Sequence, residues 1–155
     1  METRKSYKSF RFKNSLLWDR DRRGSLFTPG KREMEVGSPP EFKGDPGVWC
    51  PEELLIGAVN ACLMLTFIAI AQSKGLEFVA YESAAEGLLE NVEGKYLITE
   101  VTVQPSLVLK SQADLEAAKA IMNQVEQNCF ISNSIKGKVS LAPQFRVGSE
   151  SNPSS

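Results

Sequence analysis

The sequence predicts an α+β domain in which antiparallel sheet packs around one long apolar helix. Two observations predict it. Segments with period-two alternation flank a run, Leu54 to Ser73, of twenty residues without a charge. A second segment with helical spacing then separates the middle strands from a last one, giving the order strands, helix, strands, helix, strand. At 155 residues and 42% hydrophobic content, the chain has the length of one domain and enough apolar residues for a core. Residues 1–147 read as that domain, and 148–155 (GSESNPSS) as a disordered tail.

Each element has its own signals. Tyr7–Lys13 (YKSFRFK) alternates aromatic and polar residues, which predicts a strand. A hairpin-forming stretch follows, turned at Pro29-Gly30, with Met34 and Val36 alternating with charge. Ser38–Cys50 is rich in proline and glycine and reads as loop. The first helix is expected over Pro51–Lys74. Proline is tolerated in a first turn, Glu52 and Glu53 suit the positive end of the helix dipole, and Gly75 can stop it. The alternating stretches 76–90 and 95–110 predict a hairpin turned at NVEGK. Ser111 starts a second helix as N-cap, with Asp114 three residues on. Leu115, Ala118, Ile121, Met122 and Val125 give that helix one apolar face, and it ends near Asn128-Cys129. A single last strand lies within 133–147.

The uncharged run is long enough to cross a bilayer. Asn60, Thr66, Gln72 and Gly57 interrupt its apolar character, so it is taken instead as the central helix of a globular fold, with no membrane span. A helix apolar all round needs cover on all sides, which one small sheet does not supply. A second copy of the chain is expected to provide it, making a homodimer.

Residues 1–35 hold ten Lys/Arg and five Asp/Glu, although the net charge is -1. That basic front reads as a solvated strand-and-loop region and not as a nucleic-acid surface. The chain contains no histidine. This excludes Ser-His-Asp and Cys-His activation and histidine metal ligands within it. A reactive cysteine must then be activated by a cation other than imidazolium. The three cysteines, Cys50, Cys62 and Cys129, include no C-x-x-C pair. An odd number, with no apolar segment after METRKSYKSF to act as a secretion signal, suggests a reducing, cytoplasmic setting. Cys62, flanked by Ala61 and Leu63, has the surroundings of a core residue. Cys129 ends a helix in polar company. Cys50 precedes a helix N-terminus, where the dipole would make it the reactive one on local electrostatics alone.

GVWCPEELLIGAVNACLMLTF, followed some sixty residues later by NCFISNSIK, resembles the OsmC/Ohr family of thiol-dependent hydroperoxide reductases. PPEFKGDPGVW, AAEG and DRRGSL fit the same pattern. The resemblance covers roughly residues 7 to 147 and lies nearest a general OsmC-like branch. It implies an intertwined homodimer with active sites at the interface. It implies that Cys62 attacks the peroxide and Cys129 resolves the product as a Cys62–Cys129 disulfide. Arg22, with Arg23 as runner-up, would support the thiolate, and Glu52 of PEELL would hold that arginine. An arginine stays charged at any working pH, so it can favour a thiolate without acting as a base. The implied substrate is an organic hydroperoxide and the implied role defence against oxidative stress. No bound cofactor is implied; an external dithiol, such as a lipoylated protein, would regenerate the thiols. Two positions depart from the pattern: Phe130 replaces a common proline, and Cys50 replaces a small polar residue. Two other readings stand beside the peroxidase: a non-catalytic dimer that senses redox state or binds a lipid-like ligand, and a structural protein with inert thiols. If Glu52 and Cys62 share one helix, ten residues put them about 15 Å apart along its axis. One arginine can then serve both only if the helix starts after Pro51 or Glu52 acts across to the partner chain.

Overall fold

The computed structural model describes residues 7–148. They fall into two compact units, Met1–Pro51 and Glu52–Ser155. Most of the expected tail, residues 149–155, lies outside the described residues. Gly148, assigned to that tail, instead donates its N–H to the Leu109 carbonyl at 2.9 Å.

The first unit is a three-stranded antiparallel sheet, β1 (Ser15–Arg20), β2 (Arg23–Phe27) and β3 (Met34–Gly37), in that order. The Pro29-Gly30 turn forms as expected, with Gly30 at φ +79° and Lys31 N–H bonded to Thr28 O at 3.1 Å. The strand expected at Tyr7–Lys13 does not form. Its alternation is right, but pairing starts at Ser15↔Phe27, where β2 ends and the chain turns away. Residues before Ser15 therefore have no antiparallel edge to join. Every residue of β1 is exposed, including Leu16, Leu17 and Trp18. In the loop that follows, a 3-10 turn covers Pro40–Phe42. Gly44 is required there, because a Cβ would collide with the Ser38 carbonyl oxygen.

The second unit opens with α1 (Pro51–Lys74), which has the expected bounds. Its end is a Schellman motif: Leu76 N–H bonds to Ala71 O at 2.9 Å, Gly75 N–H bonds to Gln72 O at 3.2 Å, and Gly75 adopts φ +72°. β4 (Phe78–Val92) and β5 (Lys95–Leu109) form a long hairpin. Glu93 and Gly94, at φ +50° and +87°, make its two-residue turn. This primed turn matches the twist of the strands it joins. α2 (Leu115–Asn128) buries Ala118, Ile121, Met122 and Val125, as its spacing predicts. Ser111 does not cap it. A 3-10 turn, Gln112–Asp114, intervenes, and the Ser111 hydroxyl donates to the Asp114 carboxylate at 3.1 Å, while its oxygen accepts from no backbone N–H of the turn.

The expected last strand is two, β6 (Lys138–Leu141) and β7 (Gln144–Val147), and both run parallel to β5. The all-antiparallel expectation is thus corrected for this sheet. After β5 the chain returns through α2 to the start of β5, so the returning strands share its direction. β6 pairs with Glu100–Val103 and β7 with Ser106–Leu109. The break between them contains Pro143 and faces the stretch containing Pro105; neither proline can donate to a ladder.

One core fills the unit. Val59, Leu63, Phe67 and Ala71 of α1 meet Val101, Val103, Leu107 and Leu109 of β5 and the apolar face of α2. Phe67 sits edge-on to Phe78, with ring centroids 5.4 Å apart. α1 meets the length and apolarity of a membrane span, but a full stripe of it is buried in this core. On the opposite side of the helix the second unit leaves Ala61, Leu65 and Ala69 exposed.

Candidate functional site

Cys62 lies one residue before the buried Leu63, so its side chain emerges at the edge of the core stripe and is half-buried. α2 ends at Asn128, and Cys129 leaves the helix in an extended conformation (φ -75°, ψ 113°). Its sulfur is completely buried in the core that α1 and α2 share. Cys62 packs against this buried cluster, and the two thiols act on one another electrostatically. After Cys129 the chain turns back immediately: Asn133 N–H bonds to Cys129 O and Ser134 N–H to Ile131 O, each at 3.0 Å. This turn directs the backbone N–H groups of Ile131 and Phe130 at Cys62, and the hydroxyl and N–H of Ser132 at Cys129.

The two sulfurs are driven in opposite directions. For Cys62, burial opposes ionisation, but the Ile131 N–H, the Cys129 thiol and further donors outweigh it, and the thiol lies below its ordinary value. For Cys129, burial dominates, a thiolate on Cys62 adds to it, and the thiol is pushed up despite the Ser132 donors. Of the two, Cys62 is therefore the thiol that ionises first as pH rises. Thr66 contributes little to this. Its Oγ1 is 4.0 Å from the Cys62 sulfur, while its single proton is donated to the Cys62 carbonyl at 2.7 Å.

Cys62 opens into a groove of about 830 Å³ along the uncovered side of α1. Ala58, Ala61, Leu65, Ala69 and Ile70 make its wall, Phe130 and Asn128 stand beside Cys62, and Ser73 and Lys74 close the far end. From Cys62 to Lys74 the helix rises about 18 Å. The arrangement presents an ionisable sulfur to an apolar ligand, with a second, buried sulfur coupled to it.

The other expected site residues are Arg22, Arg23 and Glu52. Arg22 belongs to the first unit, in the turn before β2; its Nη1 donates to the Phe42 carbonyl at 2.9 Å. With Arg20, Arg23 and Lys43 it lines a cleft of about 770 Å³. Arg23 is held by Glu35 and Asp45, each at 3.5 Å. Glu52 lies in the first turn of α1 with Oε2 buried and unpartnered. The helix is unbroken from Pro51, so a later start cannot bring Glu52 near Cys62. Cys50 is buried at the end of the loop. The groups that lower the Cys62 thiol within this unit are the Ile131 and Phe130 amides, the Cys129 thiol and the Thr66 hydroxyl. Sequence reasoning missed Ile131 and Ser132. The polar run after Cys129 is a signal for Ser132, whereas a backbone N–H has none. Among the described residues no group of three or more Cys, Asp or Glu could hold a metal ion.

The signature of the family described as "OsmC-like protein" matches residues 44–143. An uncharacterized protein of Bacillus subtilis (strain 168), YmaD, is 31% identical over 121 residues, covering 76% of this chain and 81% of that protein. An OsmC-like protein of unknown function from Vibrio cholerae superposes with a TM-score of 0.80 at 23% identity, over 87% of this chain and 99% of that one. An organic hydroperoxide resistance protein, OsmC, from Legionella pneumophila superposes with a TM-score of 0.71 at 20% identity, over 91% and 100%.

Proposed function

Because the chain belongs to the OsmC-like protein family, we propose that it is a thiol peroxidase that reduces organic hydroperoxides in the cytoplasm, in defence against oxidative stress. The observation that carries this reading is the coupling of two thiols of opposite tendency, one of which, Cys62, lines an apolar groove. The Cys62 thiolate attacks the outer peroxide oxygen, the O–O bond breaks, and the alkoxide leaves as an alcohol. Cys62 becomes a sulfenic acid. Cys129 attacks that sulfur, the hydroxyl leaves with the Cys129 proton as water, and a Cys62–Cys129 disulfide forms. An external dithiol, free or carried as a lipoyl group on a protein, reduces it. The apolar groove favours organic hydroperoxides over hydrogen peroxide.

The working form in this reading is an intertwined homodimer. Exposed Leu16, Leu17 and Trp18 and the open side of α1 are surfaces for a second copy. The buried, unpartnered oxygen of Glu52 calls for a cation. Arg22 of a partner subunit is the candidate, which would let the arginine serve a site whose glutamate lies on the other chain. The experiment is turnover of cumene hydroperoxide with dihydrolipoamide by the wild-type protein and by Cys129→Ser. The wild type turns over, whereas Cys129→Ser reacts once and stops as a sulfenic acid. No turnover by the wild type removes the peroxidase reading. The size of the groove then favours the second one, a non-catalytic dimer that senses redox state or holds a lipid-like ligand.

A further inference from the structure

The reductive half of this cycle makes a demand that the oxidative half does not. Cys129 is fully buried, while Cys62 opens on the groove. A dithiol can therefore reach only the Cys62 sulfur of a Cys62–Cys129 disulfide, and Cys129 must be the leaving group. Exchange is faster when the leaving thiol is more acidic, but burial pushes Cys129 the other way. A buried leaving thiolate needs a donor beyond the Ser132 N–H that the backbone already directs at it.

Ser132 stands where that donor is needed. Its Oγ is buried and makes no completed hydrogen bond in the resting state. The turn that follows Cys129, closed by the Asn133 N–H on the Cys129 carbonyl at 3.0 Å, folds Ser132 back towards Cys129, and its buried hydroxyl acts on that sulfur electrostatically. A neutral thiol is a weak acceptor, so the resting contact is poor. A thiolate is a strong acceptor, and a hydrogen bond to an ion is about twice as strong as one between neutral groups.

We propose that Ser132 is a catalytic residue of disulfide reduction, its hydroxyl donating to Cys129 Sγ as that sulfur departs as a thiolate. The proposal rests on the thiol-pair reading above. The reductant's first thiolate attacks Cys62 Sγ and forms a mixed disulfide. The Cys62–Cys129 bond breaks, and its electron pair goes to Cys129, which then takes up a proton. The reductant's second thiolate attacks its own sulfur in the mixed disulfide, releases Cys62 as a thiolate and closes a cyclic disulfide. Two electrons pass from the dithiol to the protein. Cys129 is reprotonated in its buried site, so the hydroxyl acts on a transient ion. It speeds the exchange far more than it shifts the final equilibrium.

The test prepares the disulfide with diamide, which makes it independent of peroxide chemistry. Reduction by dihydrolipoamide is expected to slow about tenfold in Ser132→Ala. The equilibrium with a dithiol buffer moves less than about threefold, and Ser132→Thr recovers most of the rate. An unchanged rate in Ser132→Ala overturns the proposal. So does a slowing matched by an equal shift in equilibrium, which a general distortion of the disulfide would give. Failure of diamide to form the Cys62–Cys129 bond also overturns it. A bond formed by diamide but by no hydroperoxide counts against the peroxidase reading and leaves the assignment of Ser132 to be decided by the rates.

Discussion

The two sides of α1 have much the same composition and opposite surroundings. On one, Val59, Leu63, Phe67 and Ala71 repeat every four residues and are wholly buried against β5 and α2. On the other, Ala61, Leu65 and Ala69 are as apolar, yet they line an open groove, and Leu65 keeps 59% of its surface exposed. Cys62 sits on the border between them. The difference shows that apolarity alone does not say which face of a helix packs into the core and which stays open. The arrangement across the helix decides: a sheet and a second helix on one side, a groove lined by Cys62 on the other.

Neighbouring residues give the sharpest break between the two sides. Cys62→Ser should reduce peroxide consumption to background while leaving Tm within a degree or two, because the site is half-exposed and the change is small. Leu63→Ala, one residue on, should cost about 2–5 kcal/mol of stability by opening a cavity in the core. The protein that remains folded should still oxidise at Cys62. Coupled assays of hydroperoxide loss and thermal unfolding distinguish the two outcomes; a Cys62→Ser protein that unfolds early would erase the contrast.

The pH dependence comes next in size. The reactive form is the thiolate, and Cys62 lies below its ordinary value. The rate of Cys62 oxidation should therefore rise with pH to a plateau, with its midpoint below that of an ordinary cysteine. Cys129, pushed up by burial, should not contribute a rise in that range. Stopped-flow oxidation rates across pH, with Cys129→Ser as the control, measure this. A midpoint at or above that of a free cysteine would contradict the electrostatics of the site. The smallest effect belongs to Thr66→Val. Its hydroxyl proton is committed to the Cys62 carbonyl, so thiolate formation at Cys62, followed by absorbance at 240 nm, should barely change. A clear upward shift would mean that the hydroxyl turns to the sulfur instead.

Much of this architecture is legible in the sequence, for local reasons. Pro51, two acids and Gly75 mark both ends of α1, and Gly94 places the long hairpin. The spacing from Leu115 to Val125 sets the buried face of α2. The parallel return of β6 and β7 is not legible, because strand direction depends on where α2 deposits the chain and no residue of Lys138–Val147 encodes it. The failure of Tyr7–Lys13 to form a strand is similar: its alternation is present, but the edge it would need is not. At the site, the pairing of Cys62 with Cys129 follows from a family pattern, not from periodicity. The amides of Phe130 and Ile131 escape detection because every residue has one, and only the turn aims them.

The central claim is that Cys62 and Cys129 act as one redox pair. The most direct test is the mass of the reduced native protein before and after one equivalent of an organic hydroperoxide, with peptide mapping. The account predicts a loss of two hydrogens, located in a Cys62–Cys129 bridge. An unchanged mass, or a bridge that includes Cys50, would contradict it.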